Sequence, residues 1–158
     1  MNYDKLVFHE KARPDALGRT VTIDFGMNEI VVDSMIEGIK WCRIGPRERA
    51  AIEAKLNIGR PDEWAEDCFE PLPDGSRWDL KLFEGAGLVR ESRGCNGYPP
   101  RDRWLALCSL VNFCSAVARR YGEYRPPKAV RRRENGSMPC GNCENGAPED
   151  CEVGLKTV

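Results

Sequence analysis

The chain is short of the residues on which most enzyme chemistry draws. It has a single histidine, His9, among 158 residues, which excludes a multi-histidine metal centre and leaves little basis for a histidine-based triad. No Walker-type phosphate loop or dinucleotide fingerprint occurs, because the Gly-Ala-Gly at 85–87 lacks the helix that must follow. No stretch approaches the roughly 20 consecutive apolar residues of a membrane-spanning helix. The opening residues, MNYDKLVFHEKARPD, lack the basic-then-apolar layout of a secretory signal. A cytoplasmic protein with reduced thiols is therefore predicted, with no membrane partner. The net charge of −1 gives no overall pull toward nucleic acid, so any such attraction must be local.

What is present predicts an α+β fold. Residues 3–10, YDKLVFHE, read as a first strand. In RTVTIDF (19–25), Val21, Ile23 and Phe25 alternate with Thr20, Thr22 and Asp24, and IVVDSMI (30–36) completes a hairpin. Pro46 at a first helical position and the closing Gly59 bracket a short helix over 45–59. The stretch RPDEWAEDCFEPLPDG (60–75) has three prolines and an acidic cluster, and reads as a connection with at most one helical turn. Trp78, Leu80 and Leu82 alternate in a strand that the Gly-containing turn at 84–87 returns through LVRESR. Trp104, Leu107, Cys108, Val111, Cys114 and Ala118 then recur at helical spacing, a core-facing stripe over 101–121. The predicted architecture is a small antiparallel, hairpin-rich sheet packed on one long C-terminal helix, residues 1–122. Residues 123–158 form an irregular basic and Cys-rich tail.

Between hairpin and helix stands GCNGYPP (94–100), which glycine and proline force into a sharp loop. Asn96 and Tyr98 place polar groups beside a helix N-terminus, where free N–H groups favour an anion or a carbonyl. They are candidate binding residues. The alternative is that Tyr98 packs on the hairpin and Asn96 satisfies backbone groups. The run from DGSRWDLKLF through GCNGYPP into the helix resembles small uncharacterised bacterial hairpin–loop–helix proteins, over residues 74–118. The resemblance implies a small bacterial α+β domain and brings no activity with it.

The segment after the helix, RRYGEYRPPKAVRRR (119–133), has seven basic residues and one acid. Arg131, Arg132 and Arg133 are candidates for phosphate or acidic-protein contact. Three of the eight cysteines then fall close together as Cys140, Cys143 and Cys151. The two-residue gap in Cys140-Gly-Asn-Cys143 lets both sulfurs grip one ion, and Cys151 can fold back as a third thiolate. Structural zinc takes four ligands, so Cys42, Cys68, Cys95 or His9 would complete the set. An unliganded tail, a redox pair and an iron–sulfur site stand as alternatives. Cys108 and Cys114, inside the helix, read as small buried hydrophobes. Together these features predict a non-catalytic binding protein with a protein partner. A nucleic-acid-binding accessory protein with a zinc-stapled tail is the second reading, and an enzyme with dispersed acidic residues the third.

Overall fold

In the computed structural model, residues 3–11, 18–71 and 75–124 are described. They form one mixed sheet and two helices, an α+β fold. The strands are β1 (Lys5–Lys11), β2 (Arg19–Asp24), β3 (Glu29–Ser34), β4 (Gly38–Arg43), β5 (Asp67–Phe69), β6 (Arg77–Glu84), β7 (Gly87–Cys95) and β8 (Glu123–Tyr124). Their order across the sheet is β5-β7-β6-β1-β2-β3-β4-β8. The helices are α1 (Pro46–Gly59) and α2 (Arg101–Tyr121).

Period-two alternation sorts each strand into a core face and an outer face. Leu6 and Phe8 of β1 lie in register with Val21 and Ile23 of β2 and with Leu80 and Leu82 of β6. All six are buried, as are Ile30, Val32 and Cys42 farther along. The helices complete this core with Ile52 and Leu56 from α1, and with Leu107, Leu110, Val111, Cys114, Val117 and Ala118 from α2. Each buried valine, leucine or isoleucine among them contributes about 1.5–3 kcal/mol. Trp104 and Cys108 are only half-buried at the margins of the α2 stripe. On the outer face, Val7 and His9 line up with Thr22 and Thr20 on one side and with Lys81 and Asp79 on the other. No described helix lies over that face.

α1 begins at Pro46, and the Glu48 carboxylate accepts a hydrogen bond from the Gly45 N–H at 3.1 Å. It ends at Gly59, as the sequence predicts, and Arg60 takes the left-handed conformation (φ 45°) before Pro61. Lys55 Nζ donates to the Ser109 hydroxyl at 2.7 Å and ties α1 to α2.

Two expectations need correction. The sheet is not purely antiparallel, because β5 pairs parallel to β7. The link from Phe69 to Arg77 is short, so the chain reverses between β5 and β6, and β5, opposite in direction to β6, runs with β7. Nor does one helix supply the whole cover, since α1 packs against α2 and adds to the same core. β4 had no sequence expectation, β5 falls in the stretch read as a connection, and β8 falls at the start of the segment read as an irregular tail. β8 pairs with Lys40 and Trp41 of β4.

Candidate interaction site at the β5–β7 margin

β7 is nine residues long and pairs with β6 from Gly87 to Cys95, with a register shift that leaves Val89 unpaired. On its other side β5 meets only Arg93, Gly94 and Cys95. From Gly87 to Ser92 that side has no partner strand among the described residues. Trp64 explains why the pairing stops. Its ring is 1% exposed, and its Nε1 donates to the Gly59 carbonyl at 2.7 Å. The core thus draws the chain away from β7 just before β5 begins. The Trp64 carbonyl accepts from Arg90 Nε at 3.1 Å, and the Glu66 carbonyl accepts the Arg93 N–H at 2.8 Å.

Where the chain peels away, a hollow of about 370 Å³ opens, lined by Glu66, Asp67, Leu88, Val89, Arg90, Glu91 and Arg93. A second, of about 330 Å³, lies beside it, with Phe69, Arg77, Asp79 and Cys95 among its walls. Phe69 is 71% exposed, and Leu88 and Val89 are each 50% exposed. These side chains leave apolar surface open beside a strand edge that is unpaired among the described residues.

The charges at this margin are unevenly committed. Arg93 Nε donates to Asp67 Oδ1 at 2.6 Å, and this carboxylate raises the guanidinium pKa. Glu91 pairs with Lys81 at 3.2 Å. Glu66 and Glu70 form no salt bridge among the described residues.

The Asn96–Tyr98 loop buttresses the margin. Asn96 takes a left-handed conformation (φ 58°), which asparagine tolerates better than most residues, and its N–H donates to the Ser76 carbonyl at 3.0 Å. Trp78 Nε1 donates to the Gly97 carbonyl at 2.9 Å. A Cβ at Gly97 would sit 2.7 Å from the backbone of Cys68 and Phe69, so only glycine lets the loop lie this close to β5. The Tyr98 ring packs at a tilt against Trp104, with centroids 4.7 Å apart, and its hydroxyl pairs with that of Ser76. Behind it, Trp104 meets Trp78 at 5.3 Å and Trp64 at 6.2 Å. Both expected binding residues therefore have structural partners, and Tyr98 also keeps 44% of its surface exposed.

The other candidates, Arg131, Arg132, Arg133, Cys140, Cys143 and Cys151, lie outside the described residues. Among the described residues, no group of three or more His, Cys, Asp and Glu is arranged to hold a metal ion. Cys42, Cys68, Cys95, Cys108 and Cys114 are free thiols. Burial pushes the Cys114 thiol up to about 12 and raises those of Cys42, Cys68 and Cys108. None of these four is activated as a nucleophile. No described helix is long and apolar enough to cross a membrane.

Phe69, Leu88, Val89 and Glu91 were not legible as a site. Leu88 and Val89 read as ordinary strand residues, and one signal was available: two adjacent apolar residues cannot both face the core of a regular strand. No protein-family model matches the chain, and no curated protein aligns with it significantly.

Proposed function

We propose that this is a non-catalytic binding protein that engages another protein through the β5–β7 margin. The observation that carries the reading is the conjunction of exposed Phe69, Leu88 and Val89 with a strand edge left unpaired among the described residues. Interfaces are built on such apolar anchors surrounded by polar side chains, and here Glu66, Asp67, Glu91 and Arg93 supply the surround.

The test is co-purification from cells with the parent chain and with Phe69→Asp and Leu88→Asp. Both positions are exposed, so the far-UV circular dichroism should not change. The specifically retained protein should be lost in both variants. Retention equal to the parent's in both would refute the reading. Running the same comparison at low and high salt separates it from nucleic-acid binding through Arg131, Arg132 and Arg133. Phosphate contacts weaken steeply with salt, whereas an apolar margin does not.

A further inference from the structure

Resting on that reading, we infer that the partner supplies an extended segment, basic and apolar in composition, that adds to the open edge of β7 as a strand in line with β5. Backbone parity supports this. The Arg93 N–H and the Cys95 carbonyl both point toward β5, where they meet the Glu66 carbonyl and the Glu70 N–H. Two residues back, Glu91 presents its N–H and C=O to the same side. There the chain has already left for Trp64, and the hollow of about 370 Å³ takes its place. An incoming backbone meets the same hydrogen-bonding pattern that β5 satisfies farther along, which is the chemistry of strand addition.

The site has two ends. β5 closes one at Arg93, and the register shift between β6 and β7 at Leu82 and Phe83 marks the other. The edge between them, Arg90 to Ser92, has room for about three residues, or roughly 10 Å of strand. It has neither a proline nor a lysine, the residues that commonly protect a free edge. Its arginine, Arg90, is turned to the Trp64 carbonyl.

Charge selects the occupant. The segment flanking the edge has five acids, Asp62, Glu63, Glu66, Asp67 and Glu70, and no base between residues 62 and 70. Glu63 is held by Arg103 at 3.1 Å and Asp67 by Arg93. Glu66 remains for a ligand, and Glu91, paired with Lys81, lines the same hollow. Lysine or arginine in the added strand would face these carboxylates, and apolar residues would cover Leu88 and Val89.

The experiment uses the full chain and labelled synthetic hexapeptides read by fluorescence anisotropy. The probes are alternating lysine–valine, alternating glutamate–valine, and two lysine–valine isomers N-methylated on one backbone edge or the other. The lysine–valine peptide should bind at least ten-fold more tightly than its acidic counterpart. One N-methyl isomer should lose binding and the other keep it, since only one edge faces β7. The Glu66→Lys, Glu91→Lys double variant should lose the preference for the basic peptide, with an unchanged circular dichroism spectrum. Equal affinity for the basic and acidic peptides, or equal binding of both N-methyl isomers, would overturn the inference. So would a dimer by sedimentation that Glu91→Pro dissociates, because a second copy would then hold the edge. If no peptide binds while Leu88→Asp still strips the co-purified protein, strand addition fails and the binding reading stands. If Leu88→Asp and Phe69→Asp also leave the retained protein unchanged, both fail.

Discussion

Truncating Trp64 to alanine tests the linkage between the core and the candidate site. The side chain is almost wholly buried, and large-to-small changes at such aromatic positions cost about 3–5 kcal/mol. Part of this is the hydrogen bond from Nε1 to the Gly59 carbonyl, a net contribution of about 1 kcal/mol. Part is the edge-to-face contact with Trp78 at 5.6 Å, which adds about 0.5–1.5 kcal/mol beyond area burial. Against a total stability of about 5–15 kcal/mol for a domain, this is a large share. Urea unfolding followed by far-UV circular dichroism measures it. Trp104→Ala is the internal control: Trp104 is half-exposed, so its loss should cost less. Hydrogen exchange supplies the link to the site. With the anchor gone, the Glu66 carbonyl is no longer held over β7, and the Arg93 amide should lose protection before the amides of β1. A midpoint equal to the parent's, or a larger loss for Trp104→Ala than for Trp64→Ala, would refute the reasoning.

Gly97→Ala should destabilise by about 1–3 kcal/mol through overpacking against Cys68 and Phe69, visible as a lower thermal midpoint; no change would show that the loop is not seated on β5. The Glu37 carboxyl is lowered from 4.5 to about 2 by hydrogen bonds from Arg119 and Lys40. Because the folded value lies below the unfolded one, its stabilising contribution is present above about pH 4.5 and is lost as pH falls toward 2. Side-chain NMR should place its titration near 2, and a midpoint at the ordinary carboxylate value would show these ion pairs open in solution. The Cys140, Cys143 and Cys151 cluster is expected to bind about one zinc per chain, lost in the Cys140→Ser, Cys143→Ser double variant. Elemental analysis of chelator-free protein measures it, and metal well below one equivalent with all three thiols freely alkylated would exclude it.

The long patterns in this chain are easier to read than the β5–β7 margin. Alternation at Val21 and Ile23, and at Trp78, Leu80 and Leu82, identified strands whose inward side chains are indeed buried. β5 escaped because three residues are too few to show a period, and Asp67 and Phe69 are both exposed. β4 escaped for a different reason. Ile39 and Trp41 flank Lys40, but they lie on the face opposite Cys42, the one buried residue of Gly38–Arg43, so the apolar rhythm does not mark the core face. At the loop, glycine and proline announced a turn, but only tertiary structure shows that Asn96 and Tyr98 are engaged by Ser76 and Trp104. The edge of β7 is a property of what fails to pair with it, and a single sequence cannot reveal a missing neighbour.

The central place of β1 has a consequence for the order in which the chain can fold. β1 pairs with β2, its neighbour in sequence, and with β6, which follows only after α1 and β5. The β1–β4 meander and the β6–β7 hairpin can each close from local contacts, whereas the seam between them must wait for a distant segment. During synthesis the meander emerges first, with Leu6, Phe8, Val21, Ile23, Ile30 and Val32 on one face. Much of the cover for that face is α2, residues 101–121. A nascent chain halted before α2 exposes this apolar surface to every other nascent chain nearby. Truncations ending in the β6–β7 hairpin should therefore aggregate, and those ending after Tyr121 should remain dispersed.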